Sequence, residues 1–417
     1  MQKIIIEKPY RFVPPHYGTW WPAFLQWSNA YAIYLRRVER VVSYECRNVD
    51  RLRRSLEAGH GILLTPNHCR TADPLVMGFL ARAARTHVFA MASWHLFNQD
   101  PWSGWAIRRM GAFSVYREGI DRQAIDTATQ ILSTANRPLI VFPEGATSHT
   151  NDQLHAMLDG VAFIARVAAK KRQKISANAK VVVHPVAIKY VVRGDFREAA
   201  DALLTKLESR LSWQPQRELP IIDRVRKLGR TLLMLKELEY FGETREGTLA
   251  ERMQALIDRL LEPLELHWFS RKQTGAVNVR VKALRMKIMP EMVQNSLDPA
   301  ERDRRWRMLA DLQLAQQVAS YPPNYLQPAP SVERIIELIE RFEADFNERS
   351  HVLADLHAII DVDEPIEVSA ERVRSPRVRD EQDGGSEAKS DPLMGQIETR
   401  LQAMLANLAD ESTPYSP

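Results

Sequence analysis

The sequence is poor in cysteine. Its 417 residues include only Cys46 and Cys69, and neither lies in a CxxC or Cys/His spacing. Two cysteines cannot cross-link a chain of this length with disulfides, and structural zinc requires several closely spaced ligands. These absences exclude the disulfide-rich secreted class and predict a protein of a reducing compartment, with no metal site.

Long apolar runs and an export signal are missing as well. A membrane-spanning helix needs about 18 or more consecutive apolar residues, and no stretch of the sequence reaches that length. The N-terminal stretch MQKIIIEKPY has a short apolar run at residues 4–6 and lacks a small-residue cleavage site. We therefore expect a mature, cytoplasmic protein without a spanning anchor.

The charge and composition are those of a globular protein with a moderate basic excess. The net charge is +5, and hydrophobic residues make up 45% of the chain. A basic excess favours anionic partners such as phosphates or membrane surfaces. Because zinc-finger spacings and RNP-like aromatic-basic runs are absent, we expect no nucleic-acid partner. The length predicts two domains, or one domain that carries a large insertion.

Residues 9–40 combine aromatic side chains with cations. The segment contains Trp20, Trp21, Phe24, Trp27, Tyr31, Tyr34, Arg36, Arg37 and Arg40. Aromatic and basic residues together favour the boundary between lipid and water. The alternative is an N-terminal helix that packs its aromatic residues on the protein's own core. On the first interpretation, residues 1–50 form an amphipathic segment at a membrane interface.

Residues 51–202 alternate short β-rich runs with helical patterns, which is typical of a layered α/β domain. The predicted strands are residues 62–65, 87–92, 112–117, 139–142 and 181–190. The predicted helices are residues 74–85, 102–110, 121–135 and 160–171. Loops at the ends of such strands usually carry function.

The rest of the chain is predicted to be mostly helical. Residues 203–350 show successive amphipathic patterns without a visible internal repeat, and Ser331 is a plausible N-cap for the last helix. In residues 351–417, a β pattern returns at 357–368 and a charged, Gly-Gly-containing stretch at 370–390 is predicted to be flexible. A final helix from Asp391 to about Asp410 carries one apolar stripe, so it should pack on the core.

His68 and Asp73 are separated by four residues, across a loop that leads into a helix. A carboxylate beside one imidazole nitrogen sets the tautomer and leaves the other nitrogen free to accept a proton. Asp73 before Pro74 is also an ordinary helix N-cap. Both roles are compatible with the sequence.

Other catalytic interpretations have less support. The sequence contains no Gly-x-Ser-x-Gly motif, which makes a serine hydrolase improbable. Cys69 is more simply a small packing residue than a nucleophile. The remaining histidines of this region lack ligand spacing and are interpreted as loop or core residues; they are His87, His95, His149 and His155.

Four ordered blocks carry a family resemblance. They are residues 67–73 (NHCRTAD), 111–117 (GAFSVYR), 141–145 (VFPEG) and 183–188 (VHPVAI). In this order they resemble the PlsC-like glycerolipid acyltransferases, the family of 1-acylglycerol-3-phosphate acyltransferases with an HX4D motif. The resemblance covers roughly residues 60–192 and resumes near residues 359–368. It implies an α/β fold with a central mixed sheet flanked by helices.

The resemblance also implies roles for individual residues. His68 would be the general base, and Asp73 would orient it. Arg117 would bind a phosphate, Glu144 would organise the acceptor pocket, and Gly145 would let the backbone approach closely. Asn67 would belong to the same substrate-binding set. Three positions depart from the family pattern: Ala146-Thr147-Ser148 stands where many members have Thr-Arg-Ser, and Tyr116 replaces a frequent aspartate.

The implied reaction is phospholipid-biosynthetic acyl transfer. The donor would be acyl-CoA or acyl-carrier protein, and the acceptor would be a hydroxyl of a lysophospholipid-like molecule. The protein would work at the cytoplasmic face of a membrane, with peripheral or monotopic attachment. No cofactor is implied. The alternative is a non-catalytic lipid-binding or scaffolding protein that retains the fold.

Overall fold

The computed structural model describes residues 8–176, 178–294, 297–347, 351–371 and 391–416. The chain divides into two compact units. Tyr10–Arg193 and Asp355–Glu411 form an α/β unit, and Gly194–Ala354 with short terminal segments forms a helical unit. Two expectations, the short apolar run at residues 4–6 and the flexibility of residues 372–390, lie outside the described residues.

The α/β unit is built on one eight-stranded sheet. Its strands are β1 (Val41–Arg47), β2 (Gly61–Pro66), β3 (Phe89–Ser93), β4 (Ala112–Val115), β5 (Leu139–Ile140), β6 (Val181–Arg193), β7 (Asp355–Val362) and β8 (Ile366–Glu367). The order is β1-β7-β6-β2-β5-β3-β4, and β8 pairs with β6. β6 is antiparallel to β7 and β8, whereas the other pairs are parallel. The sheet is therefore mixed, as the resemblance implied.

Helices flank this sheet. They are α1 (Trp20–Ser28), α2 (Ala30–Val38), α3 (Val49–Glu57), α4 (Asp73–Ala83), α5 (Pro101–Arg109), α6 (Arg122–Thr134), α7 (Gly160–Gln173) and α14 (Pro392–Asn407). The apolar stripe of α14 is buried in the same core cluster as the sheet and α6. This confirms that the last helix packs on the core. It returns there because its apolar face has no other surface to cover.

The topology brings four loops to one edge of the sheet. β2, β3, β4 and β5 run parallel to one another, so their carboxyl ends meet at the same edge. β6, which pairs with β2 in the same direction, is buried over all but its last residue. Such continuous burial is typical of a strand that is covered on both faces. The loops that follow β2 and β5 carry His68 and Glu144.

Three predicted elements differ from the structure. We predicted no strand before residue 62, but β1 lies at a sheet edge, and its exposed Ser43, Tyr44 and Glu45 hide the β pattern. The strand predicted at 112–117 ends at Val115, because the Tyr116 N–H turns to the Asp121 carboxylate at 2.9 Å. The strand predicted at 139–142 has only two residues in the ladder.

The helical unit contains six long helices among its described residues. They are α8 (Arg197–Arg210), α9 (Ile221–Phe241), α10 (Leu249–Phe269), α11 (Val277–Val293), α12 (Pro299–Ala319) and α13 (Val332–Phe346). Ser331 accepts the Arg334 N–H, which confirms the predicted N-cap of α13. No described helix of the chain has the length and apolarity required to span a membrane.

The helical unit repeats one ionic motif that the sequence pattern did not reveal. Glu208, Glu237 and Glu265 each accept the backbone N–H of the residue eight positions later. Each also binds an arginine on the following helix, 15 or 16 residues later. The recurring feature is a pair of long-range contacts within otherwise different helices, so the expectation of no internal sequence repeat stays a prediction.

We expect loss of one such carboxylate to destabilise the helical unit. Glu237 is fully buried and binds Arg252, whose side chain is 15% exposed, at 2.7 Å. Glu237→Ala leaves that guanidinium without its carboxylate and should lower the free energy of unfolding by about 3 kcal/mol. Chemical denaturation measures the change. Glu239→Ala is the control, because this exposed residue pairs with exposed Lys236 and should cost less than about 1 kcal/mol. Equal effects would contradict the prediction.

Candidate active site

His68 and Asp73 form a hydrogen-bonded pair at the carboxyl end of β2. His68 Nδ1 lies 2.8 Å from Asp73 Oδ2. Asp73 is fully buried, whereas the His68 side chain is 13% exposed. A carboxylate at Nδ1 places the imidazole proton on that nitrogen and leaves Nε2 as a proton acceptor. The two residues are thus arranged as a general base and the group that orients it.

The predicted N-cap role of Asp73 is wrong. α4 begins at Asp73 itself, and its N-cap residue is Ala72, which makes no side-chain cap bond. The Asp73 carboxylate instead turns back, and it accepts the Arg70 N–H at 2.9 Å and the Tyr190 hydroxyl at 2.6 Å. His68, the Arg70 N–H and the Tyr190 hydroxyl therefore hold this carboxylate in the loop that carries His68, and the Cys69 thiol lies 3.9 Å from Oδ1. None of these donors belongs to the first turn of α4.

The backbone of His68 is fixed on both sides. Its N–H donates to Glu144 Oε1 at 2.7 Å, and its carbonyl accepts the Ser148 N–H at 2.7 Å. The imidazole stacks on Phe142, with ring centroids 4.2 Å apart. Because these partners all come from the loop after β5, the first and third predicted blocks form one site. Residues 142–148 position the base.

The Glu144 carboxyl group connects the loop that carries His68 with the segment that carries His155. Its second oxygen accepts the His155 N–H at 2.9 Å. Burial is the main reason that the pKa of Glu144 is raised to about 7. The negative charge of Asp73 raises this pKa further, whereas the hydrogen bonds from the two backbone N–H groups lower it. Gly145 follows with φ +70°, and a Cβ there would lie 2.5 Å from Leu158 Cδ1. The turn thus requires glycine.

The Glu144 carboxyl should make stability depend on pH. Its pKa lies above the ordinary 4.5, so the folded state holds a proton that the unfolded state has already released. Stability from this group is present at low pH and is lost as pH rises through about 7. The free energy of unfolding of the wild type minus that of Glu144→Gln should fall by on the order of 3 kcal/mol between about pH 4 and 8. If the free energies of unfolding of the two proteins changed with pH by the same amount across this range, the prediction would be refuted.

The Asn67 side chain supports the backbone of β6, and its substrate-binding role stays a prediction. Its side-chain amide accepts the Ile188 N–H at 2.7 Å and donates to the Ile188 carbonyl at 2.9 Å. Asn151 makes the same pair of bonds with Tyr190, at 2.8 and 2.7 Å. The pairing of β6 with β2 ends at Val186. Beyond that residue, the two side-chain amides form hydrogen bonds with the backbone N–H and carbonyl groups of β6. They attach the His68 loop and the loop after Glu144 to one strand.

Arg117 lies in the turn that follows β4, at the same edge of the sheet. Burial, with a smaller effect of the Arg117 guanidinium, lowers the pKa of His95 to about 4. The imidazole is therefore neutral at pH 7, and its Nδ1 lies 2.8 Å from the Ser93 hydroxyl. β5 and β3 separate β2 from β4, so the His68 loop and Arg117 occupy opposite ends of the candidate site.

Two site residues were not predicted. Thr147 Oγ1 lies 3.3 Å from His68 Nε2, and Tyr190 binds the Asp73 carboxylate. Tyr190 follows the fourth block by two residues, and the apolar pattern of β6 marked it only as a core residue. Thr147 was visible as a departure from the family pattern, but its distance from His68 was not. Among the described residues, no cluster of His, Cys, Asp and Glu is placed to hold a metal ion.

Comparison with known proteins agrees with this geometry. Residues 43–189 match the family model described as Acyltransferase. A stretch of 107 residues is 37% identical to the 1-acyl-sn-glycerol-3-phosphate acyltransferase of Streptococcus pneumoniae (strain ATCC BAA-255 / R6). This match covers 26% of the chain and 37% of that relative. Residues 43–189 are therefore similar to the acyltransferases, in agreement with the resemblance carried by the four blocks.

Proposed function

We propose that the protein transfers a fatty acyl group from a thioester to a hydroxyl of a lysophospholipid-like acceptor. The observation that carries this proposal is the His68–Asp73 pair, in which Nδ1 contacts the carboxylate, Nε2 lies on the other side of the ring, and the His68 side chain is partly exposed. The acyltransferase domain supplies the reaction class. The name of the pneumococcal relative supports a 1-acylglycerol-3-phosphate as the first acceptor to test.

The geometry supports a general-base mechanism. Nε2 of His68 takes the proton of the acceptor hydroxyl while that oxygen attacks the thioester carbonyl. Asp73 stabilises the imidazolium that forms, and Tyr190 and the Arg70 N–H hold Asp73 in place. The tetrahedral intermediate collapses, the thiolate leaves with the proton, and an ester remains. Arg117 is suited to bind a phosphate of either substrate through its planar guanidinium.

A thiol-release assay tests this function. Purified protein is incubated with palmitoyl-CoA or a palmitoylated carrier protein, together with a panel of lysophospholipids, and both free thiol and the acylated product are measured. We expect thiol release that depends on one class of acceptor. Lack of turnover with both donors and every acceptor would instead favour a non-catalytic lipid-binding protein.

We further propose that the α/β unit attaches to the cytoplasmic face of a membrane through α1. Tyr31 and Leu35 of α2 are buried, so the second helix of the segment packs on the protein's own core. α1 leaves the aromatic side chains of Trp20, Phe24 and Trp27 exposed, with Trp27 at 81%, and the outer face of α2 leaves Ile33, Tyr34 and Val38 exposed. Aromatic side chains favour the lipid-water boundary, and α1 therefore provides the contact surface.

The aromatic surface extends beyond the N-terminal segment. Trp21 of α1 contacts Trp105 of α5, with ring centroids 5.0 Å apart. Trp102 on the same helix is 79% exposed. The Arg109 guanidinium lies over the Trp105 ring, at 5.4 Å. A cation beside exposed indoles suits an anionic lipid surface.

Replacing Trp20 and Trp27 together by serine should weaken membrane binding. Each exposed indole contributes about 1.5 kcal/mol or more when it leaves water, so the partition coefficient should drop at least ~10-fold. Sedimentation with phosphatidylglycerol–phosphatidylcholine vesicles measures it. Trp306→Ser, at an exposed tryptophan of the helical unit, is the control. Unchanged sedimentation of the double variant would contradict the attachment through α1.

A further inference from the structure

We infer that Tyr10 is a positioning residue that holds Arg117 for a substrate phosphate. This inference rests on the proposed acyl transfer, in which Arg117 binds a phosphate of the donor or of the acceptor. The observation that carries it is a set of hydrogen bonds that joins the Tyr10 hydroxyl to the turn that contains Arg117. Tyr10 lies before all four blocks in the sequence, so a segment outside the family resemblance contributes to the candidate site.

Asp121 closes the turn that follows β4. Its Oδ2 accepts the Tyr116 N–H at 2.9 Å, and its Oδ1 accepts the Ala124 N–H at 3.0 Å, where the carboxylate caps α6. The carboxylate thus joins the first residue after β4 to the first turn of α6. Arg117 lies between these two anchors and is partly exposed. The backbone position of Arg117 therefore depends on this carboxylate.

Tyr10 holds the same carboxylate from the N-terminal segment. Its hydroxyl donates to Asp121 Oδ2 and lies 3.0 Å from the Ser114 hydroxyl. Burial, together with the hydrogen bond to Asp121, raises the pKa of Tyr10 well above its ordinary value, so the phenol keeps the proton that it donates. Asp121 is 8% exposed. A buried carboxylate depends on such donors, because water cannot readily replace them.

The ring of Tyr10 supports the turn as well. It stacks on the Tyr116 ring, with centroids 5.0 Å apart, and meets the Trp94 ring edge-on at 5.4 Å. A Cβ added at Gly119 would lie 3.2 Å from Tyr116 Cδ1, so the turn folds closely over the same ring. Tyr116 stands directly before Arg117 in the chain. Tyr10 therefore fixes the residue next to the guanidinium through ring contact in addition to hydrogen bonding.

The position of Tyr10 is determined by backbone bonds of its own segment. The Ser114 N–H donates to the Val13 carbonyl at 3.0 Å, and the Ser114 hydroxyl accepts the Val13 N–H at 2.8 Å. Arg108 of α5 donates to the Pro14 carbonyl at 3.0 Å. These bonds attach the segment to β4 and α5. The same segment continues into α1, the helix that we propose as the membrane contact.

A purely structural role for Tyr10 predicts different consequences. If Tyr10 served only to stabilise the fold, its removal would lower the melting temperature and reduce the rate with every substrate alike. A residue that positions Arg117 affects the affinity for the phosphate that Arg117 binds. Its effect also disappears when Arg117 is absent, because residues that act as a unit are not additive.

A double-mutant cycle between Tyr10 and Arg117 tests the inference. Calorimetric titration of the full chain measures binding of coenzyme A and of glycerol 3-phosphate, which carry the phosphates of the donor and of the acceptor. Arg117→Ala should weaken binding of one of them by about 10-fold or more, since a charged hydrogen bond is lost. Tyr10→Phe should weaken binding of the same ligand by about 2- to 10-fold. It should have no further effect in the Arg117→Ala background.

Kinetics and a packing variant provide the controls. In Tyr10→Phe, the KM for the substrate that carries this phosphate should rise by the same factor, while kcat stays within about twofold of the wild type. Phe12→Leu is the matched control, because Phe12 lies in the same segment and packs on Phe113, with centroids 6.4 Å apart. This variant should keep the wild-type affinity and KM. Melting temperatures are compared for all variants.

Several results would overturn the inference. Wild-type affinity in Tyr10→Phe, additive losses in the double variant, or an equal loss of affinity in Phe12→Leu would show that Tyr10 does not act through Arg117. If neither ligand binds, or if Arg117→Ala changes neither affinity, the phosphate-binding role of Arg117 and the inference are both wrong. A lack of thiol release with every acceptor would refute the proposed function instead, and the binding cycle would still decide the role of Tyr10.

Discussion

The His68→Ala variant should lose acyl transfer by about 10³-fold or more, with little change in stability. General-base catalysis by a positioned imidazole contributes roughly 10²–10⁴-fold, and Nε2 is the ring nitrogen of the partly exposed His68 side chain that does not contact Asp73. The His68 bonds to Glu144 and Ser148 are made by its backbone, so alanine retains them. Initial rates of thiol release with the best acceptor measure the effect.

A histidine at the other edge of the sheet provides the matched control. His87 precedes β3 (Phe89–Ser93), at the amino end of that strand, whereas His68 follows the carboxyl end of β2. His87→Ala should therefore keep the wild-type rate. Undiminished turnover in His68→Ala would remove His68 from the mechanism. Equal losses in both variants, together with lower melting temperatures, would indicate damage to the fold.

Asp73→Asn should reduce the rate by roughly 10²–10⁴-fold while the site keeps its shape. His68 Nδ1 and the Arg70 N–H both contact Oδ2, whereas the Tyr190 hydroxyl binds Oδ1, so an asparagine carbonyl at the Oδ1 position can still accept the Tyr190 hydroxyl. Its amide, however, offers a proton to Nδ1 of His68, so the imidazole proton moves to Nε2 and the base is blocked. The predicted loss lies in kcat, since no substrate contact is removed.

Tyr190→Phe separates orientation of the base from packing of the core. The hydroxyl of Tyr190 is buried and donates to Asp73 Oδ1 at 2.6 Å. Its removal leaves the carboxylate with the Arg70 N–H and His68, so we expect a loss of about 10-fold or less in kcat. If Asp73→Asn lost no more than Tyr190→Phe, the carboxylate would serve only to hold the loop.

Much of this site was predictable because its parts are local in sequence. His68 and Asp73 lie on one loop-to-helix junction, and the bond between them spans five positions. The same holds for the Ser331 cap and for the apolar stripe of α14, since caps and periodicity are short-range signals. The sheet also followed from the alternation of strands and helices, apart from its charged edge strand β1.

Contacts that join distant parts of the chain were not predictable. Thr147 lies 79 positions from His68, and Tyr190 lies 117 positions from Asp73. Each of these side chains has an ordinary explanation in its own segment. The Asp73 cap was wrong for the same reason, because Tyr190 and His68 compete with the first turn of α4 for the carboxylate. The repeated Glu–Arg pairs of the helical unit likewise became visible only when successive helices were paired.

The sequence by itself determined the α/β class, the order of the four blocks and the residue types of the base and its carboxylate. These depend on periodicity and on short spacings, which the chain carries locally. Only the tertiary structure shows that the Thr147 hydroxyl lies near Nε2 of His68. It also shows that the buried Glu144 carboxyl connects two loops and that the Asn67 amide binds the backbone of β6. Those outcomes depend on which strand ends become neighbours in the sheet, and such pairing is a property of the whole fold.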